Sequence, residues 1–380
     1  MNIAVQTDFS DIASYSIDSD LASSTQAGVK QDGLEKSSIE NDSIKNNSVK
    51  HPTFEQNRIE KIELNNRVIS HIAKKNRNAP IGLFDSGVGG LSVYLHLAQQ
   101  LPHERYVYYA DTLHVPYGNR DSEDIKALTL AAVEWLYQQG CKLIVIACNS
   151  ASAYALETAR QYYPQLPIVG LVPALKPAVL ASKNAHVAVL ATKATLNGSL
   201  LNDVISSVAR PHATKVTKYF DPNLVPWVET GMPDNSKTAQ ALREQLQIFS
   251  QAGVDQLVLG CTHYPFFKAF LAQEIAQQQL SIQIVDSGQA IAERVKQLLR
   301  VNQLSALPVE ALATNAIENK EVLKKNKALT DSKTLKNNKV ETVNDLPALT
   351  FYATKYDENL KLTIQRLLGS RTKLHYCTSF

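Results

Sequence analysis

Two of the four cysteines in this chain of 380 residues stand where a thiol can act as an acid or a base. Cys261 lies in the stretch LVLGCTHYP, residues 257–265. Three consecutive large apolar residues read as a buried parallel strand, and Gly260 lets the backbone turn so that Cys261 stands at its carboxyl end. Open α/β sheets bind ligands at that end. Pro265 is favoured in a first helical turn and FFKAFLAQEI can carry the helix on, so the thiol is expected at a helix amino end, where the dipole and free N–H groups favour thiolate. Cys148 repeats the construction in phase. The helical pattern DIKALTLAAVEWLYQQ ends at Gly140 and strand LIVIA runs to Cys148; KTAQALREQLQIFSQA ends at Gly253 and strand QLVLG runs to Cys261, after the same number of residues. Two such units imply an internal duplication in which each lobe offers one thiol. The competing reading is that both are small buried hydrophobes, the common fate of a free cysteine. Polar neighbours at both strand ends, Asn149 and Ser150 in one and Thr262 and His263 in the other, favour a cleft.

Two thiols at matching ends of related lobes suit a reaction that is itself nearly symmetric. Inverting a Cα centre needs a base on one face and a conjugate acid on the other, and a thiol is readily tuned to both roles. Each sulfur should come about 3 to 3.5 Å from Cα, which sets the pair about 7 Å apart across a substrate. That separation is too long for a disulfide.

The remaining elements position this pair. Ordered structure is expected from Ile81, where IGLFDSGVGGLSVYLHLAQQL reads as strand, glycine turn and helix, the helix closing before Pro102. DSGVGG matches neither GxGxxG nor a Walker sequence, so Asp85 and Ser86 are read as polar groups at a strand end, with glycine N–H groups near a small anion. Asp85 can also simply cap the turn. Strand RYVYYAD leads to TLHVPYGNR, where Tyr117 and Gly118 are candidates for the cleft wall or for a plain turn. Prolines in PALKPA mark a crossover to the second lobe, which opens with HVAVLAT; Thr192 there takes the place of Ser86. A less regular stretch with Tyr219, Phe220 and Glu229 precedes the second thiol unit, and strand IQIVDS closes the lobe. Helix AIAERVKQLL is expected to return to the first lobe, followed by strand LTFYAT and helix ENLKLTIQRLLG. The fold class is therefore α/β: two pseudo-symmetric lobes, each a mainly parallel sheet flanked by helices, with the active site in the cleft between them. Residues 1–78 read as a disordered tail with a short amphipathic pattern near Arg58 to Ile72. Residues 79–175 and 286–380 form the first lobe, with a flexible insertion over 304–346, and 176–285 the second. Cys141 at a helix end and Cys377 in an exposed tail are left out of the chemistry.

Composition narrows the function. A hydrophobic share of 44% supports a sizeable core, and a formal charge of +3 without a concentrated basic face does not imply nucleic acid. No apolar run reaches a membrane span and the amino terminus lacks a signal-peptide pattern, so a cytoplasmic protein without membrane association is expected. Four cysteines are no disulfide framework at this length, and no CxxC or HExxH spacing calls for a metal.

The set DSGVGG at 85–90, DTLHVPYG at 111–118, ACNSA at 147–151 and LGCTHYP at 259–265 closely resembles the glutamate racemases of the aspartate/glutamate racemase superfamily. The similarity spans about 80 to 300. It implies interconversion of L- and D-glutamate without cofactor, supplying D-glutamate for peptidoglycan. It also implies that Cys148 and Cys261 are the acid/base thiols, with Asp85 assisting the first and His263 the second. Cys261 would face the proton of L-glutamate and Cys148 that of D-glutamate. Ser86, Tyr117, Gly118, Asn149, Ser150, Thr192 and Thr262 would hold the substrate, with Glu229 near its amino group. A homodimer and a cell-wall precursor as regulator stay open. Ser150 stands where the family often has Thr, and Ala191 where Gly is usual. The rivals are a superfamily racemase acting on aspartate or a hydantoin, an amino-acid-binding protein without chemistry, and a hydrolase built on Cys261 and His263.

Overall fold

Strand β1 (Ile81–Asp85) is buried along its whole length, as its unbroken apolar run requires of a central parallel strand. It is followed by α1 (Leu91–Gln100), β2 (Tyr106–Ala110), α2 (Ser122–Gln138), β3 (Leu143–Ile146), α3 (Asn149–Tyr162), β4 (Ile168–Gly170) and α4 (Leu175–Ala181). The second series runs β5 (His186–Ala191), α5 (Lys193–Asn197), α6 (Ser199–Val204), β6 (Lys215–Tyr219), α7 (Leu224–Glu229), α8 (Lys237–Gln251), β7 (Gln256–Gly260), α9 (Lys268–Gln277) and β8 (Gln283–Val285). The chain then forms α10 (Gly288–Val301), β9 (Leu346–Ala353), α11 (Glu358–Leu368) and β10 (Thr372–Cys377). This computed structural model describes residues 76–306, 346–369 and 372–377. The tail, its amphipathic stretch near Arg58 to Ile72 and the insertion over 304–346 lie outside the described residues, apart from their margins.

The strands make two parallel sheets, ordered β10-β9-β2-β1-β3-β4 and β6-β5-β7-β8. The four strands β2-β1-β3-β4 and the four strands β6-β5-β7-β8 follow one pattern, so the duplication read from the glycine and cysteine spacing is a duplication of topology. The helices that feed β3 and β7 also match. Each begins at a side-chain cap, Asp121 accepting from Asp124 N–H and Ser236 from Ala239 N–H. Each ends at a glycine with positive φ, Gly140 at 75° and Gly253 at 85°, a conformation that glycine adopts without a Cβ penalty. Both central strands of the second sheet are buried on two faces. Leu190, Leu257 and Leu259 pack with α7, α8 and α9, while Val187, Val189 and Val258 pack with α4 and α6. In the first sheet, Ile291, Val295 and Leu299 of α10 join the core formed by α1, β1 and β3, so this helix packs on the first sheet.

Three expectations change. Strand β6 replaces the expected irregular stretch: its two lysines are exposed and its other three residues half-buried, which suits a sheet edge and gives no apolar run. Cys377 was read as part of an exposed tail, but it ends β10, a strand parallel to β9. Finally, no α-helix starts directly behind Cys261. Tyr264 N–H and Phe266 N–H bond the carbonyls three residues back, so Tyr264–Phe267 is a 3-10 turn and α9 begins only at Lys268. No described helix is long and apolar enough to cross a membrane.

Candidate active site

Sheet register brings the expected site residues together. Phe84 pairs with Ile146 and Ala191 with Gly260, so two positions further on Ser86 stands beside Cys148, and one position further on Thr192 stands beside Cys261, at the carboxyl edges of the two sheets. The proposed equivalence of Ser86 and Thr192 follows from this pairing. Cys148 caps α3, its sulfur accepting from Ala151 N–H at 3.5 Å and lying 3.6 Å from Ser86 Oγ. Burial, reinforced by the Asp85 charge, pushes this thiol up to about 12 despite those two contacts. The helix-end N–H of Ala151 pulls this thiol down, but desolvation outweighs it.

Asp85 is fully buried at the end of β1. Its carboxylate accepts from Gly87 N–H at 2.7 Å and from the Thr262 hydroxyl at 3.1 Å, the latter reaching across from the second sheet. Burial lifts its pKa to about 6, with the His263 charge and these hydrogen bonds opposing. Around Cys261 the surroundings differ. Its sulfur lies 4.0 Å from His263 Nδ1, and His263 Nε2 lies 3.0 Å from Glu229 Oε1. Burial disfavours the imidazolium, but the Cys261 sulfur and the Glu229 carboxylate outweigh it and hold His263 up at about 10. Glu229 thus meets His263, a contact that the sequence reading, which set it near a substrate amino group, did not include.

Further contacts close the seam. Ser150 Oγ lies 2.9 Å from Thr192 Oγ1, joining the residue two positions after the first thiol to the strand end beside the second. A Cβ on Gly118 would come within 3.1 Å of Thr192, so the loop after β2 and the second lobe meet there. A Cβ on Gly89 would collide with Thr262 and His263. Tyr117 is buried and donates its hydroxyl to Asp111 at 2.6 Å, which turns the side chain inward. Asp111 also accepts from Thr354 at 2.9 Å. Asn149, Cys261 and Thr262 line one small cavity. Among the described residues no group of three or more His, Cys, Asp or Glu is placed to hold a metal ion.

A model of the Asp/Glu/hydantoin racemases matches residues 81–295, a span containing both thiols and their partners. The chain belongs to the Asp/Glu/hydantoin racemase family. Within this family it is similar to the glutamate racemase of Deinococcus radiodurans, at 49% identity over 220 residues, covering 58% of this chain and 74% of that one. It is also similar to the glutamate racemase of Clostridium perfringens, at 36% over 260 residues, covering 68% and 98%. The solved Escherichia coli glutamate racemase, in complex with L-glutamate and the activator UDP-MurNAc-Ala, superposes with a TM-score of 0.57 at 28% identity, over 80% of this chain and 99% of that one. A Bacillus anthracis glutamate racemase isoform, at 24% identity and a TM-score of 0.61, shows the same fold over 80% of this chain and 98% of that one.

The racemase is thus an isomerase of the glutamate racemase type, and the binding-protein and hydrolase readings fall away. Sequence reasoning missed three groups that touch its site. Asp111 stood inside a quoted motif but received no role. Ser92 donates to Thr262 O at 2.8 Å, and Arg366 donates to Glu229 O at 2.5 Å. Nothing in a local pattern pairs residues so far apart in the chain.

Proposed function

We propose that this racemase interconverts L- and D-glutamate without a cofactor, using Cys261 and Cys148 as the two acid/base groups, and supplies D-glutamate for peptidoglycan. The observation that carries the reading is the matched register, which places one thiol and one hydroxyl residue at equivalent strand ends of each sheet. The charge environments then divide the work. His263, held up at about 10, places an imidazolium beside the Cys261 sulfur, and the family resemblance assigns that sulfur to the Cα proton of L-glutamate. Cys148, pushed up to about 12, carries its proton at neutral pH and delivers it to the opposite face of Cα. The S–H bond of Cys261 forms as the Cα–H bond breaks, and the Cys148 S–H bond breaks as the new Cα–H bond forms. When the reaction runs from D-glutamate the roles are reversed, and Asp85, the charged neighbour of Cys148, is the residue that assists that thiol.

Ser86, Asn149, Ser150, Thr192 and Thr262 lie at or next to the strand ends that carry the two sulfurs and would supply donors for the substrate carboxylates. Gly118 shapes the wall opposite Thr192, and Tyr117 supports that wall through Asp111. The same reading divides the chain into a first lobe over 79–175 and 286–380 and a second over 176–285. The purified chain is tested by circular dichroism of L-glutamate, L-aspartate and a hydantoin, with no cofactor added. Loss of optical rotation only from glutamate is expected, because a shorter substrate leaves buried donors unpaired. Comparable turnover of aspartate rejects the glutamate assignment, and an inert chain rejects the activity.

A further inference from the structure

Two hydrogen bonds cross between the lobes and end on backbone carbonyls that flank the Cys261–His263–Glu229 relay. Ser92 in the first turn of α1 donates to the carbonyl of Thr262, the residue between Cys261 and His263, at 2.8 Å, and both residues are buried. Arg366 near the end of α11 donates through Nη1 to the carbonyl of Glu229 at 2.5 Å, and Thr363, one turn earlier, reaches the same oxygen at 3.5 Å. Glu229 is the last residue of α7, where helix carbonyls lack intrahelical partners and a cation is favoured. The Arg366 side chain lies over Gly231, whose φ of 95° lets the chain turn away; a Cβ there would stand 3.4 Å from Arg366 Cδ. Beside these bonds, Leu367 and Phe266 each pack against both the first core and the α7–α9 core. The contacts of the Cys148 sulfur, from Ser86 and Ala151, come from its own lobe, and the bond that reaches its neighbour Asp85 across the seam comes from the Thr262 side chain rather than its carbonyl.

We propose that Ser92 and Arg366 are positioning residues through which the first lobe aligns the second thiol's relay, so that Cys261 is set for proton transfer only when the lobes are docked. Neither residue touches the reacting atoms. The inference rests on the two-thiol reading, but its direct readout does not need turnover. Small misplacements of a reacting group are costly, so the effect belongs in kcat rather than KM. Ser92→Ala should lower kcat about tenfold, and Arg366→Ala, whose bond is exposed, about threefold, with KM held within about twofold. Arg366→Lys keeps a cationic donor and should recover most of the loss.

The full chain and these variants are compared by steady-state racemisation, by melting temperature, and by iodoacetamide alkylation of Cys261 and Cys148 followed separately by peptide mass spectrometry. The ratio of the Cys261 to the Cys148 alkylation rate should shift at least about threefold in both alanine variants and return toward wild type in Arg366→Lys. Rates that change in parallel at both thiols, tracking the melting temperature, overturn the proposal in favour of a general loosening. An unchanged ratio overturns it too. A wild-type chain that does not racemise glutamate sinks the functional reading, while the alkylation ratio still decides whether the two bonds act on Cys261 alone.

Discussion

Replacing Asp85 by Asn should make the protein more stable and less active at once. Asp85 is 0% exposed, and burial lifts its pKa from 3.8 to about 6 against the opposing pull of His263, Gly87 and Thr262. One pKa unit is about 1.4 kcal/mol, so the ionised carboxylate costs the fold on the order of 3 kcal/mol relative to the unfolded chain. The folded state keeps its proton up to about pH 6 while the unfolded state releases it near 3.8, so the native form binds more protons in that window. Stability therefore falls as pH rises through it, and the penalty is complete above pH 6 and absent below 3.8. Asn keeps an oxygen for Gly87 N–H and can donate its amide to the Thr262 hydroxyl, so the two hydrogen bonds need not be lost. Urea denaturation at about pH 8 should find Asp85→Asn more stable by about 2 to 3 kcal/mol, with the gap closing toward about pH 4. Racemisation at about pH 8 should fall by about a hundredfold, the scale of a lost acid/base group. A variant less stable than wild type at the higher pH, or a gap that ignores pH, refutes the burial argument.

Racemisation should collapse in both Cys148→Ala and Cys261→Ala. In deuterated water, proton NMR should show slow α-exchange of L-glutamate alone with Cys148→Ala and of D-glutamate alone with Cys261→Ala; exchange of both enantiomers by one variant contradicts the one-face-per-thiol mechanism. Glu229→Gln removes one of the two supports that hold His263 at about 10, so burial should draw the imidazolium down and the alkaline limb of the kcat profile should move to lower pH. An unmoved limb means that His263 does not govern that limb. Gly89→Ala would drive a Cβ into Thr262 and His263, and should lower kcat at least about tenfold with a fall in melting temperature; activity near wild type shows that the lobes can part at this point without harm. Glu104→Ala strands the Lys142 ammonium, which is paired at 2.5 Å with side chains only 1% and 3% exposed, and should cost about 3 to 5 kcal/mol in urea titrations while activity per folded molecule holds.

Much of this architecture was legible because burial writes itself into composition. Strands enclosed on both faces must be unbroken apolar runs, so IGLF, LIVI and LVLG marked β1, β3 and β7. Gly140 and Gly253 fixed their phase, since each terminates a helix at positive φ. What the sequence hid was governed by contacts that leave no periodic trace. β6 sits at a sheet edge and needs few apolar residues. The 3-10 turn behind Cys261 differs from an α-helical turn only in which carbonyl each N–H meets, and Pro265 suits both. Ser92 and Arg366 reach their partners through tertiary docking, across 170 and 137 residues of chain.

The duplication supplies a common scaffold, and the side chains then break its symmetry. Ser86 and Thr192 occupy equivalent places, yet Ser86 contacts its own lobe's thiol while Thr192 reaches Ser150 in the other. Cys148 has a helix end and a buried carboxylate near it, and Cys261 has an imidazole backed by a carboxylate. Under the proposed chemistry such asymmetry is useful. Two identical thiols would share a single proton equally between them, so only half of the singly protonated molecules would be set for a given enantiomer. Unequal neighbours favour the mixed state, one sulfur with its proton and one beside a cation. That state is reversed after each turnover, so the proton must be returned before the next molecule of the same enantiomer reacts. Asp85, with a pKa of about 6, can accept and release a proton near neutrality, and its bond to Thr262 places it at the contact between the two relays. Under that chemistry the buried carboxylate that weakens the fold stands beside the thiol it would assist, Cys148.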